Sequence, residues 1–380
     1  MTGMMGTVRI VLLASVYGGT MGTVPTQAQS GLTVTREPDL VIGEQSGVYF
    51  GASLRVAVDS RGMIYVGDAQ DLTVRVFTPD GVLHETIGRG GGGPAEFRAV
   101  HQIVAGRGDS LYVLDLNLSR VSVFAPSRRH VLAYTVAITA DPGQGRPYRL
   151  LVPSGPTEDF LVALRRRQVL ERQHTTAVGV HRMNAKGEVG LRPFLEERGF
   201  ESAARVSSGG GGTSVTRGSP LFARNAMRGL TPDDELYYGW SEEIDLAFYD
   251  LSGKWIRMFR AESPVIPVMA RDIHEMRDAS ALTREVREGL EPPKTKPAVH
   301  TVIVDDQGRI WTGRYTTDPT RHEWWVTLNK GAGESGIFVL PSSVALRVVR
   351  GGFAYAVSED DAGAPRVVGY TIKLDKRKEK

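Results

Sequence analysis

The chain has 380 residues, with 44 glycines, 20 prolines and no cysteine. The absence of cysteine excludes disulfides, thiolate metal sites, a cysteine nucleophile and a lipid-bearing N-terminal cysteine. Its 46 basic and 43 acidic side chains leave a formal charge of +3, which argues against a polybasic nucleic-acid binder.

Residues 1–28 read as an export signal. Arg9 is the one charge, the run from Val8 to Tyr17 is otherwise largely apolar, and Thr26-Gln27-Ala28 offers a cleavage site. An apolar run of about ten residues is too short for a bilayer, which needs about 20. No other stretch approaches that length, so no membrane span is expected. The mature chain would start near Gln29, in the periplasm or outside the cell. A fold there without disulfides rests on core burial, which about 350 residues can supply.

Short alternating strands then recur, separated by turn residues. In the first unit Leu54–Val58, Met63–Asp68, Thr73–Phe77 and His84–Gly88 read as strands, with turns at Asp59-Ser60-Arg61-Gly62 and Thr78-Pro79-Asp80-Gly81. The second unit copies it in Gln102–Ala105, Asp109–Asp115, Arg120–Pro126 and Leu132–Val136.

The second strand of each unit serves as a ruler. Its marker residues are Tyr65, Tyr112, Val162, Tyr237, Trp311 and Tyr355, with gaps of 47, 50, 75, 74 and 44. Six four-stranded units at spacings of about 40–50 residues predict an all-β, six-bladed β-propeller. A β-sandwich with a second domain is the competing architecture. The two wide gaps hold insertions. Ser207-Ser208-Gly209-Gly210-Gly211-Gly212-Thr213 reads as a flexible loop. Residues 269–290 carry Met269, Ile273, Met276, Leu282, Val286 and Leu290 near helical spacing, which predicts a helical insertion between blades four and five. The last unit shows three strands. Leu32–Thr35 and Leu40–Gly43 belong to no unit, so an N-terminal strand is expected to close the ring and cover an open edge. The domain thus runs over residues 29–375, with a basic tail at 376–380.

The residues from Val56 to Asp68, Arg75-Val76-Phe77, Asp80-Gly81 and the Gly-rich run Ile87–Phe97 resemble the NHL-repeat-type six-bladed propellers of secreted bacterial proteins. Leu111–Asp115 and Arg120–Phe124 carry the same likeness in unit two. The resemblance spans roughly residues 32–375 and is most specific in blades one and two. It implies an Asp–Arg bridge at Asp115 and Arg120, whereas in unit one Thr73 stands where the Arg is expected beside Asp68. Such families mostly bind other molecules, and some relatives are enzymes, among them calcium-dependent lactonases and a metal-dependent lyase. Fold does not decide between these.

Each chemical constellation has a plainer reading beside it. Gly88–Gly93 is followed by Pro94-Ala95-Glu96-Phe97, which fits an inter-blade connector with Phe97 packed between blades and not a phosphate loop. No two of the eight histidines stand at i,i+2 or i,i+4, so no local metal motif exists. Counting back from the ruler places Leu54, His101 and His300 in register, followed by Arg55, Gln102 and Thr301. Blades two and five are opposite in a six-bladed ring, so His101 and His300 could meet across the channel. Three readings stand: a metal pair, packing between blades, or a polar ring of Arg55, His101, Gln102 and His300 that binds a ligand. Asp305-Asp306 and Asp360-Asp361 read as turn residues, since calcium needs six to eight oxygens around one point. No Gly-x-Ser-x-Gly elbow supports a serine nucleophile. Tyr237-Tyr238-Gly239-Trp240 and Trp324-Trp325 read as inter-blade core.

The sequence therefore predicts an exported, non-enzymatic binding or interaction propeller with its ligand at a channel face. No cofactor is predicted. The partner is expected to be a protein or a glycan and not nucleic acid, and the chain a monomer. The alternative is a metal-dependent hydrolase or lactonase on the same fold, which would need calcium or zinc.

Overall fold

A computed structural model describes residues 32–126, 132–141, 143–155, 159–166, 173–209, 212–273, 293–327 and 334–374. The export signal and the basic tail lie outside these residues. Two short N-terminal strands, β1 (Leu32–Val34) and β2 (Leu40–Ile42), precede six antiparallel sheets. Blade one is β3 (Leu54–Val58), β4 (Ile64–Asp68), β5 (Thr73–Phe77) and β6 (Leu83–Ile87). Blade two is β7 (Gln102–Ala105), β8 (Leu111–Asp115), β9 (Arg120–Phe124) and β10 (Leu132–Ala137). Blade three holds five strands: β11 (Arg146–Leu151), β12 (Phe160–Arg165), β13 (Gln173–Met183), β14 (Leu195–Gly209) and β15 (Gly212–Gly218). Blade four is β16 (Ala226–Leu230), β17 (Leu236–Trp240), β18 (Ile244–Tyr249) and β19 (Trp255–Ala261). Blade five is β20 (Thr301–Val304), β21 (Ile310–Tyr315), β22 (Arg321–Thr327) and β23 (Glu334–Pro341). Blade six is β24 (Ala345–Arg350), β25 (Phe353–Glu359) and β26 (Pro365–Leu374).

All six ruler segments run into second strands, and the chain is a six-bladed β-propeller. The last blade is completed by β1 and β2, which pair one after the other along the same edge of β26, at Leu32↔Leu374 and Leu40↔Gly369. Of the Ser/Gly run expected as a loop, residues 207–209 and 212–213 are paired in β14 and β15, with Ser207 opposite Ser214 and Gly209 opposite Gly212, and residues 210–211 lie outside the described residues. The physical reason is that only a few residues are needed to turn a hairpin, and the flanking segments alternate far enough to pair. Of the expected helix at 269–290, residues 270–273 are helical and residues 274–290 lie outside the described residues.

The sheets carry apolar residues on both faces because each is sandwiched between two neighbours. Six apolar clusters result, one at each seam of the ring. Trp311 and Trp324 of blade five meet Leu346 and Ala354 of blade six. Ile42, Tyr355 and Val367 of the last blade meet Leu54 and Val66 of the first, which closes the ring. Phe97 of the Gly-rich connector is fully buried at the first seam, edge-on to Phe124 at 6.2 Å between centroids. Gly88 turns there with φ 79°, and a Cβ on it would lie 2.2 Å from the Phe97 ring. Glycine is the residue that meets both demands.

Candidate functional site

The turns after the first strands hold the ring's exit face together. Asp305 accepts the backbone N–H groups of Gln307 (3.0 Å) and Arg309 (2.8 Å), the Arg309 guanidinium, and the Trp311 indole N–H at 2.8 Å. Asp59 does the same for Arg61, Met63 and the Tyr65 hydroxyl. Neighbouring turns are then latched: Ser60 donates to Asp109 through N–H and hydroxyl, Gly155 to Asp234, and Gly351 to Asp306. Asp305 and Asp306 are turn residues, as their sequence context suggests.

Inside the ring the first strands of blades two to six enclose a cavity of about 470 Å³. Gln102, Arg149, Thr231, Asp305, Arg347 and Arg350 are among its lining residues. Gln102 clamps the backbone of Leu150 in the next blade, donating to its carbonyl at 2.8 Å and accepting its N–H at 2.9 Å. Arg55 donates from Nε to the His101 carbonyl at 2.8 Å and from Nη1 to the Ser53 carbonyl at 3.2 Å. The His101 ring nitrogen lies 3.2 Å from the Tyr148 carbonyl. Burial, then the charges of Arg55 and Arg149, hold the His101 imidazole below its ordinary range. Arg55, His101 and Gln102 thus gather where blades one, two and three meet.

His300 does not join them. Its ring lies over Gly313, whose missing Cβ would stand 2.5 Å from it. It stacks on His322 at 4.2 Å, with Tyr315 and Trp324 edge-on at 5.5 and 5.3 Å. An imidazole with an aromatic pocket inside its own blade gains more from packing there than from pointing into water. Its Nε2 is buried without a hydrogen-bond partner among the described residues. Burial and the neighbouring His322 push its pKa down to about 3, and burial with nearby Lys296 pushes His322 down to about 4. Beside them Lys296 and Asp272 form a buried ion pair at 2.8 Å. The sequence carries no signal for the His300–His322 contact, which depends on the pairing of Tyr315 with His322 across β21 and β22.

Two channel residues were invisible to the ruler, Arg149 and Arg347. Arg347 is the unpaired residue of a break in register between Leu346 and Val348 in β24, and Arg149 pairs with Ala163 next to a break at Tyr148 in β11. A bulge re-aims a side chain, which hides Arg347, and the longer connection from β11 to β12, with Leu150 opposite Val162 where Ala57 stands opposite Tyr65, hides Arg149 from a fixed count. Arg347 is held below its ordinary range by burial and then by the charge of Arg55.

The bridge implied at Asp115 and Arg120 is not formed. Arg120 donates instead to the carbonyls of Gly92 (3.2 Å), Gly93 (2.8 Å) and Glu96, stitching the Gly-rich connector to blade two. Asp115 accepts the N–H groups of Arg98, Ala99 and Leu118. In unit one Asp68 does find an arginine, Arg75 at 3.5 Å. The connector offers Arg120 close carbonyls that the family pattern does not anticipate.

Among the described residues no group of three His, Asp or Glu side chains gathers closely enough to hold a metal ion. No described helix is long and apolar enough to cross a membrane.

No protein-family model and no curated protein matches the chain. Solved structures do. A member of the DUF4221 family from Bacteroides vulgatus is similar over 91% of this chain and 99% of its own, at 14% identity and a TM-score of 0.51. A protein of Bacteroides fragilis named as exported is similar over 93% of this chain and 98% of its own, at 10% identity and a TM-score of 0.52. A virginiamycin B lyase from Staphylococcus aureus matches over 90% of this chain and 98% of its own, at 10% identity and a TM-score of 0.43. At these identities the likeness shows the fold alone.

Proposed function

We propose that this is an exported propeller that binds a ligand of small-molecule size in its central channel and does no chemistry on it. The observation that carries the reading is the cavity of about 470 Å³, walled by the first strands of five blades. Its volume falls in the range of about 300–1,000 Å³ usual for small-molecule sites. Catalysis would need a free acid, base or nucleophile. Asp305 is saturated by its own turn and Asp306 holds Gly351, while Gln102 is committed to Leu150. Export is supported by the leader-like residues 1–28 and by the exported Bacteroides neighbour.

The test is a thermal-shift screen of chain 29–380 against charged and neutral metabolites and short glycans. It is run beside Ser154→Trp, which sets an indole at an exposed position on the cavity wall. The reading expects at least one ligand that raises Tm in the parent and not in the variant. A stoichiometric calcium or zinc ion together with hydrolysis of esters or lactones would replace it with the metal-hydrolase reading.

A further inference from the structure

We infer that the channel is a site for a small polyanion, a molecule with two or more carboxylate, sulfate or phosphate groups, held by Arg55, Arg149 and Arg347. The inference rests on the reading that the channel binds a ligand. Several guanidinium groups elsewhere in the chain are paired with acids, as in Arg61–Asp59, Arg75–Asp71, Arg257–Glu235 and Arg309–Asp305, and others, such as Arg107 and Arg120, are held by backbone carbonyls. Two of the channel arginines have neither kind of partner. Arg149 and Arg347 line the cavity with no hydrogen bond or ion pair among the described residues. Arg55 donates only to carbonyl oxygens.

The three come from blades three, six and one. Each lies within two residues of the position that pairs with its blade's marker, at Arg55↔Gly67, Arg149↔Ala163 and beside Val348↔Tyr355. Arg55 stands beside the cavity lining, close enough for its charge to bear on Arg347 and, with that of Arg149, on His101. Like charges gathered in a partly enclosed space repel one another, a cost that a fold keeps where function needs it. Nearby acids relieve it only in part. Asp305 and Asp306 belong to turns on one face of the ring and are already bonded, and Glu197, which the charge of Arg149 reaches, is already paired with the buried Arg228. Guanidinium forks match carboxylate and phosphate oxygens in pairs, so several of them select for several anionic groups. The cavity admits one small molecule, or the acidic end of a glycan.

The test is calorimetric titration of chain 29–380 at low salt with citrate, pyrophosphate and digalacturonate, and with cellobiose as the neutral arm. At least one polyanion should bind one-to-one and weaken as salt rises. Arg149→Gln and Arg347→Gln should each raise Kd by about tenfold or more. Arg347→Lys should recover part of the loss, and Arg192→Gln, on an exposed loop, should change nothing. The unliganded Gln variants should melt at or above the parent temperature, since they relieve repulsion, which separates lost binding from lost folding. Citrate or pyrophosphate binding alone points to a free acid, and digalacturonate alone to a glycan end. Failure of all three polyanions, or binding indifferent to both arginines, overturns the inference. Cellobiose binding that Ser154→Trp blocks, with the polyanions silent, would overturn it while leaving channel binding intact.

Discussion

The Trp311 indole donates to the Asp305 carboxylate at 2.8 Å, both fully buried, and the Tyr65 hydroxyl donates to Asp59 at 3.1 Å in the same place two blades away. The spacing of six residues from turn acid to marker aromatic is the same in both. One carboxylate thus closes the turn between the first two strands and fixes the aromatic that packs the seam.

Asp305→Ala removes the acceptor for two backbone N–H groups, a guanidinium and an indole. It should cost about 3–5 kcal/mol, the range for breaking a buried charge pair on one side. Asp305→Asn should cost less. Urea denaturation measures both, and a loss below about 1 kcal/mol for the alanine variant would show the turn to be held by other contacts.

Closure by the N-terminus yields a second expectation. Leu32 and Ile42 are buried in the last two seams, and β1 and β2 cover β26. A chain starting at residue 44 should expose the β26 edge, lose its sharp thermal transition and self-associate. Light scattering after size exclusion reports the outcome. A monomer with unchanged Tm would mean that the two strands are decoration.

The Gly-rich connector is sensitive at one point. Gly88→Ala meets both a left-handed backbone and the Phe97 ring 2.2 Å from the new Cβ. The expected loss is about 2 kcal/mol or more. Gly92→Ala should be nearly silent, because the nearest atom to its Cβ is a flexible Arg98 guanidinium at 3.5 Å.

The His300–His322 pair makes stability depend on pH. In the unfolded chain each ring takes up a proton near about pH 6.5. In the folded chain the values are about 3 and about 4. Between these limits the unfolded state binds more protons, so acid destabilises the fold. The contribution is complete above about pH 6.5 and falls as pH drops toward 4. At about pH 5.5 each ring costs roughly 1 kcal/mol relative to pH 7.5. His322→Gln should flatten the Tm profile over this interval by about half. An unchanged slope would mean that other groups carry it.

The architecture was legible because a propeller repeats one buried strand, and a period read from Tyr65 to Tyr355 needs no knowledge of the ring. Phe97, Asp305 and the closing strands were legible for the same reason, since turn chemistry and burial are local. What was not legible depended on where side chains point. His300 shares a register with His101, yet packs into its own blade because Gly313 leaves room. Arg347 enters the channel through a bulge and Arg149 after a connection of unusual length, and a fixed count predicts neither. Arg120 prefers the carbonyls of a connector lying far from it in sequence. The Ser/Gly run shows the converse, a flexible composition whose residues 207–209 and 212–213 are paired in strands.

The central claim is that the channel binds without transforming what it binds. The direct measurement is titration of chain 29–380 and of Ser154→Trp with the strongest ligand from the screen, followed by mass spectrometry of the ligand recovered after prolonged incubation. The account predicts one-to-one binding to the parent, its loss in the variant, and a ligand returned unchanged. Conversion of the ligand, or equal binding by both proteins, would contradict it.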